Sequence, residues 1–309
     1  MNKVDVSIIF VNYKSPEMTL NAVDSVIANS QGFSYEIIVV DNSDDKQEFE
    51  KLNNLLIGKA NVIDAKGNLG FGKGNNVGAN VSNGDYLYFL NNDTLLEGNA
   101  IYELFDYIKN HDDVGVVGSN LYTKDKRPNH SYSKWEKNLK AEKRLFSIPF
   151  MEIHKIMKKR IDFNYSDMPL QINGYVCGAS LMIRRDAFNK IGGFEKDIFM
   201  YAEEALLCYK VINELGYKIY NIPTSKIVHF EGGTESNETP SKIKMIIDGN
   251  YIYYQKAFSD DIAKKYLKLM IKLWKKRNFI AVITRKNKKH LECLNKINAY
   301  KEKLKLVEE

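Results

Sequence analysis

Residues 86–94 read YLYFLNNDT. An apolar run of strand length, Tyr86–Leu90, gives way at once to Asn91, Asn92, Asp93 and Thr94. Two readings fit that break. Asn and Asp form turns after strands, and a rigid strand end can also present a single carboxylate to a ligand.

The same pattern recurs on either side. Val6–Val11 is a continuous apolar run that ends in Asn12-Tyr13, and Tyr35–Val40 is another that ends in Asp41-Asn42-Ser43. Uninterrupted apolar runs of this length suit strands buried on both faces. Between them Pro16 opens a helical pattern carrying Leu20, Val23, Val26 and Ile27. Gln47–Leu56 reads as a polar helix, Asn61–Ile63 as a short strand, Gly67–Asn76 as a glycine-rich loop and Asn75–Val81 as a helix. Leu96–Lys109 reads as one helix and Val114–Gly118 as a strand. This alternation predicts an α/β fold with a mostly parallel central sheet and helices on both faces. Ligands of such sheets bind outside the carboxyl ends of the strands. The polar strand ends are therefore expected along one edge.

The second half is less regular. Residues 134–160 are basic with a helical pattern and read as an insertion. Ala179–Ile183 reads as a strand, Asp186–Ile191 as a short helix stopped by Gly192-Gly193, Glu203–Leu215 as a helix closed by Gly216, and Lys226–His229 as the end of a last strand. Beyond residue 240 the chain turns helical and basic. Ile262, Tyr266, Leu267, Met270, Ile271 and Trp274 share one helical face, with lysines largely off it.

Composition narrows the function classes. The 309 residues are 44% hydrophobic and carry three widely spaced cysteines, with no CxxC and no Cys/His pairing. That argues against a disulfide scaffold or a structural zinc and fits a reducing compartment. The opening apolar run is too short for a signal peptide, and no run of 18 apolar residues could span a bilayer. A cytoplasmic protein is expected. Residues 255–309 hold 16 Lys/Arg against 6 Asp/Glu, which more than accounts for the formal net charge of +6. A nucleic-acid partner would place basic residues on the binding face of the fold itself, so none is expected. A basic helical appendage instead suggests peripheral attachment to the inner face of the cell membrane. The alternative is a helix that packs on the body of the protein or on a second copy in a homodimer.

Several residues carry chemistry. Asn68-Leu69-Gly70-Phe71-Gly72-Lys73-Gly74-Asn75-Asn76 lacks the G-x-G-x-x-G spacing and follows the third strand, not the first, which argues against a nucleotide-dependent oxidoreductase. Backbone N–H groups at such a loop-to-helix junction can still hold an anion or a ribose. Asp41 can accept from a pyrimidine N–H or from ribose hydroxyls. Asp93 suits a hard cation such as Mn²⁺ or Mg²⁺, which takes one or two carboxylates plus phosphate oxygens, and Asn91 and Asn92 add donors and acceptors without surplus charge. Glu203-Glu204 follow the aromatic patch Phe199-Met200-Tyr201. Acids there favour the helix dipole, and apolar walls could also raise one carboxyl toward working pH as a general base. His229 ends a strand and precedes Phe230-Glu231-Gly232-Gly233.

In order, the segments SIIFVNYKSP (7–16), EIIVVDNS (36–43), NLGFGKGNNVG (68–78), YLYFLNNDT (86–94), NGYVCGASLMIRRDAFNKIGGF (173–194), FMYAEEALLC (199–208) and GYKIYNIPTSKIVHFEGG (216–233) resemble the bacterial family 2 glycosyltransferases, especially the rhamnosyltransferase-like branch. The resemblance covers residues 4 to about 235. It implies a GT-A fold over residues 1–240, divided into a nucleotide-binding half (1–118) and an acceptor-binding half (119–240), with 241–309 as a basic helical appendage. It implies inverting, metal-dependent transfer of a sugar from a nucleoside-diphosphate donor, dTDP-rhamnose or a UDP-hexose, to a saccharide or lipid-linked saccharide in capsule or O-antigen assembly. Asn12, Tyr13 and Asp41 would then hold the nucleoside, and Asn68, Gly70, Asn75 and Asn76 would line the ribose and phosphates. Asn91-Asn92-Asp93 stands where the family has D-x-D, with Asp93 its one carboxylate. His229 would sit near the diphosphate or metal. Glu204 would be the base, with Glu203 as the alternative, and Cys177-Gly178-Ala179 would lie at the acceptor mouth. The lone carboxylate and the Glu at position 204, where the family usually has Asp, also admit a catalytically inactive nucleotide-sugar-binding or scaffold protein.

Overall fold

The computed structural model describes residues 4–135, 161–230 and 239–309. The insertion read over 134–160 and Glu231-Gly232-Gly233 therefore lie almost wholly outside the described residues. The chain divides into two compact units. In the described residues the first comprises 4–134, 161–199 and 204–230, and the second comprises Trp135, 200–203 and 239–309.

The strands are β1 (Val6–Asn12), β2 (Tyr35–Asp41), β3 (Asn61–Asp64), β4 (Tyr86–Leu90), β5 (Thr94–Glu97), β6 (Val114–Tyr122), β7 (Tyr132–Lys134), β8 (Leu170–Gln171), β9 (Gly174–Val176), β10 (Ser180–Arg184) and β11 (Lys218–His229). The helices of the first unit are α1 (Pro16–Asn29), α2 (Lys46–Leu55), α3 (Phe71–Val81), α4 (Ala100–Lys109), α5 (Arg185–Lys190) and α6 (Glu203–Asn213), whose first residue groups with the second unit. Those of the second unit are α7 (Pro240–Ala257), α8 (Asp260–Ile283) and α9 (Asn287–Glu308).

The main sheet runs β3-β2-β1-β4-β10-β6-β11-β5, with β8 added against β11. Its first four strands are parallel, but β10 is antiparallel to both β4 and β6, and β5 is antiparallel to β11. The sheet is thus mixed. Helices cover both faces because alternate residues of each strand point opposite ways. Ile8 and Phe10 of β1 share a core with Ala22 and Val23 of α1 and with Ile101 and Leu104 of α4. On the other face Ile9 meets α3, and its neighbour Phe89 packs on Phe188 and Phe194 at ring-centroid distances of 5.3 and 4.8 Å.

Local chemistry sets the helix starts. Pro16 occupies the first turn of α1, where its fixed φ and missing N–H cost nothing. Asp45 caps α2 by accepting from the N–H groups of Gln47 and Glu48.

Two expectations about elements need correction. The glycine-rich stretch is mostly helix, since α3 begins at Phe71. Its glycines permit close packing: a Cβ on Gly78 would lie 2.5 Å from Ile9 Cγ2. Residues 96–109 are not one helix. Leu96 pairs with Ile227 in β5, and Gly98 (φ +61°) turns the chain into α4.

The second unit corrects a third. Tyr266, Leu267 and Ile271 of α8, with Met270 and Trp274 packed against them, form a core with Ile243, Ile247 and Tyr251 of α7 and Tyr300 of α9. The apolar face expected to meet a membrane is covered by neighbouring helices. Among the described residues no helix is long and apolar enough to cross a membrane.

Candidate active site

The carboxyl ends of the parallel strands form a polar rim. Asn12 is paired in register with Asp41, and Asp41 with Asp64. A chain of hydrogen bonds joins the rim to β4. Asn92 Nδ2 donates to Thr19 Oγ1 (2.9 Å), Thr19 Oγ1 donates to Asn12 Oδ1 (2.8 Å), and Asn12 Nδ2 donates to Asp41 Oδ1 (2.8 Å). Ser43 Oγ donates to the same oxygen at 2.6 Å. Such a buried, satisfied network is rigid.

This geometry redistributes the expected roles. Asn12 is fully buried with both amide atoms engaged, so it positions Asp41 and does not itself face a nucleoside. Asp41 takes its bonds on Oδ1, and no hydrogen bond reaches Oδ2 among the described residues. Tyr13 is 51% exposed at the rim, with Lys14 Nζ 5.8 Å from the centroid of its ring. Sequence reasoning missed Ser15, Thr19 and Ser43. The only signal was their place within a few residues of the polar strand ends.

The loop before α3 is held, not slack. Asn68 Oδ1 accepts from Gly70 N (3.2 Å), Asn42 Nδ2 donates to Gly70 O (2.8 Å), and Phe71 N donates to Phe199 O (3.1 Å). Gly70 has φ +80°, and a Cβ there would stand 2.1 Å from Phe199 O. Only glycine fits such a position. Asn75 and Asn76 both make hydrogen bonds to the backbone. Asn75 is buried and donates to Phe71 O within the helix, while Asn76 clamps the backbone N–H and C=O of Phe194 at 2.9 and 2.8 Å. Both polar atoms of the Asn76 amide are thereby engaged, whereas no hydrogen bond reaches Asn75 Oδ1 among the described residues.

At the end of β4, Asn91 N donates to Ala179 O (3.1 Å), which ties this turn to the start of β10. Asp93 Oδ1 lies 3.2 Å from His229 Nε2, and Asn91 Nδ2 lies 3.4 Å from the same nitrogen. The pair forms because β11 runs antiparallel to β5, with His229 opposite Thr94. Among the described residues no three His, Cys, Asp or Glu side chains converge as a metal cage. Two ligands still fit a hard cation that completes its shell with diphosphate oxygens and water. Adjacent ligands on bonds of about 2.1 Å stand about 3.0 Å apart in an octahedron, close to the observed pair. A cavity of about 880 Å³ opens beside Asp93, with Lys14, Ser15, Met18, Asn92 and Phe230 among its lining residues. That is within the usual size for small-molecule sites.

The acid pair is divided by its surroundings. Tyr201 and Ala202 both have left-handed backbones (φ +73° and +74°) just before α6. Each such non-glycine residue costs about 1 kcal/mol or more. Glu203 is buried at 4% exposure, whereas Glu204 keeps an accessible edge. Dense surroundings push the Glu204 carboxyl above the ordinary carboxylate range, although N–H groups of Ala205 and Gly178 act in the opposite sense. Gly178 lies against it, since a Cβ there would be 3.7 Å from Glu204 Cδ and 3.6 Å from Phe71 Cε1. Tyr175, also missed from sequence, is pushed up to about 12 by burial and then by the Glu204 charge. Cys177 is partly exposed beside this acid. Ala179 is buried in the core, and its carbonyl accepts from Asn91 N.

Comparison with known proteins bears on the family and the fold. The chain is 25% identical over 240 residues to the rhamnosyltransferase WbbL of Escherichia coli, covering 73% of this chain and 83% of that one. It is 27% identical over 215 residues to a low-salt glycan biosynthesis hexosyltransferase of Haloferax volcanii, covering 68% of this chain and 62% of that one. Among solved structures, GalNAc-T7 with UDP, GalNAc and Mn²⁺ superposes with a TM-score of 0.55 at 18% identity, over 84% of this chain and 52% of that one. The shared architecture is the GT-A fold. The family model for glycosyl transferase family 2 matches residues 7–192, which contain the polar rim, the held glycine loop and the Asp93 turn, and the chain belongs to that family.

Proposed function

We propose that the protein is an inverting glycosyltransferase that moves a sugar from a nucleoside-diphosphate donor, dTDP-rhamnose or a UDP-hexose, to a saccharide acceptor. The observation that carries this reading is the Asp93–His229 pair at the end of β4, joined by the Asn92–Thr19–Asn12 chain to Asp41. The rhamnosyltransferase and hexosyltransferase relatives support the donor class. A lipid-linked acceptor in surface polysaccharide assembly is the corresponding biological reading.

In this account Asp41 Oδ2 accepts from the base or ribose, while Asn12 and Ser43 hold the other oxygen still. Asp93 and His229 would hold Mn²⁺ or Mg²⁺, which would supply stabilisation of charge on a departing nucleoside diphosphate. Glu204 takes the proton from the acceptor hydroxyl as that oxygen attacks the anomeric carbon from the face opposite the leaving group. A single displacement of this kind inverts the anomeric centre. The raised Glu204 carboxyl suits this task, because a carboxylate whose charge is made costly by burial accepts a proton more readily. Gly178 leaves room for a sugar beside it, and Tyr175 keeps its proton as a donor.

The test is a panel of nucleotide sugars screened by thermal shift with Mn²⁺ or Mg²⁺, followed by assay of nucleoside-diphosphate release. Metal-dependent stabilisation by one donor, with turnover, supports the reading. One observation favours a second reading, a nucleotide-sugar-binding protein without turnover: Asp93 is the only carboxylate in Asn91-Asn92-Asp93. Donor binding with no release, whatever the acceptor, would establish that reading instead.

A further inference from the structure

The basic character of the C-terminal helices is not evenly spread. From Ile262 to Leu291 the chain has eleven Lys/Arg and no Asp or Glu. The inward face of α8 is used up in the three-helix core, so the outward face is what remains for a partner. Along that face Lys272, Lys275, Lys276, Phe279, Val282 and Ile283 follow the i, i+3, i+4, i+7 spacing that places residues on one stripe. All six are exposed. Phe279, Val282 and Ile283 are 63%, 53% and 64% exposed, and Leu291 in the first turns of α9 is 60% exposed. Arg285, Lys286 and Lys288 surround this apolar tip and are exposed too.

The tip is preformed. Thr284 N closes on Ile280 O, Lys286 N on Ala281 O, and His290 Nδ1 lies 2.7 Å from Asn278 Oδ1 across the hairpin. None of Lys272, Lys275 and Lys276 pairs with a carboxylate among the described residues. Their charge is uncompensated among the described residues.

We propose that the α8–α9 hairpin tip is a membrane-docking element: Phe279, Val282, Ile283 and Leu291 enter the acyl boundary of an anionic leaflet, and the lysine stripe of α8 lies over its headgroups. The combination selects the partner. Uncompensated cations need an anionic surface, and a contiguous apolar tip needs a hydrocarbon phase, so a lipid interface satisfies both. A nucleic acid or polysaccharide would leave the tip in water. A second copy of the chain would set like charges against each other across the stripe. The docking surface stands on these residues alone and does not depend on the transferase reading.

The experiment is co-sedimentation of the full chain with vesicles of phosphatidylcholine containing about 30% phosphatidylglycerol, against phosphatidylcholine alone. The protein should pellet only with the anionic vesicles and be released as salt rises toward about 0.5 M. Each lysine near such a surface contributes roughly five-fold in partitioning. The triple variant Lys272→Glu/Lys275→Glu/Lys276→Glu should therefore lose at least about 100-fold. Phe279→Ser/Ile283→Ser should lose about 10-fold while keeping the salt dependence. All five positions are exposed, and circular dichroism checks that the helices remain. Failure of the unaltered chain to bind anionic vesicles overturns the proposal, as does unchanged binding by either variant. Retention on heparin without vesicle binding, or a dimer lost in Phe279→Ser/Ile283→Ser, would assign the face to a soluble polyanion or to a second copy and likewise overturns it.

Discussion

Asp41 and Glu204 are both carboxylates of the first unit, and they are held in opposite ways. Asp41 ends a parallel strand and receives donors from Asn12 and Ser43 on one oxygen. Glu204 lies in the first turn of a helix, after two left-handed residues and beside Gly178, where burial outweighs the N–H groups that reach it. A carboxylate surrounded by donors suits binding. A carboxyl whose charge is costly suits taking up a proton. The difference between the two is the core of the functional account.

That contrast can be broken most sharply at the base. Glu204→Gln should lower transfer by about 10²–10⁴-fold, the usual contribution of a general base, with nucleoside-diphosphate release as the readout. Asp93→Ala should lower turnover by about 10²–10³-fold, in line with the loss of one stabilising group at a leaving anion, and should abolish the response of donor affinity to Mn²⁺. Gly70→Ala should lower the melting temperature, because φ +80° and the Phe199 carbonyl both reject a Cβ. The backbone penalty alone is about 1–2 kcal/mol.

The smallest effect concerns stability against pH. The folded pKa of Glu204 lies above its unfolded value, so between those two values the folded state binds more protons and stability falls as pH rises. Glu204→Gln removes that cost. Its melting temperature should match wild type at acid pH, below the ordinary Glu range, and exceed it at neutral pH, by a gap that levels off above the folded pKa. Thermal melts across that window measure the gap, and equal melting at both ends would show that burial does not burden the carboxyl.

Much of this arrangement was legible in the sequence, for identifiable reasons. The apolar runs of β1, β2 and β4 are long and their polar ends abrupt, so the rim followed from the strand pattern. β10 could not be oriented, because an apolar run carries no direction and its antiparallel insertion between β4 and β6 is a property of the topology. The glycines of α3 look like a loop because small residues serve both turns and close helix–sheet packing; only the approach of Gly78 to Ile9 distinguishes the two. Asn12, Asn75 and Asn76 drew attention as amides near a ligand. Whether an amide faces a ligand or ties down backbone depends on partners as distant as Phe194, 118 residues from Asn76. The face of α8 shows the same limit. Its helical period identified a buried side, but only the neighbouring helices α7 and α9 show that the core lies there and the basic stripe outside.

The central claim is that Asp41 binds donor and Glu204 does not. Its most direct test is a calorimetric titration of UDP and dTDP, with Mn²⁺ present, into the wild-type protein, Asp41→Ala and Glu204→Gln. The account predicts that Glu204→Gln binds the better nucleotide within about three-fold of wild type, while Asp41→Ala binds it at least about ten-fold more weakly, a loss of about 1.4 kcal/mol or more. Equal losses in both variants, or undiminished binding by Asp41→Ala, would contradict it.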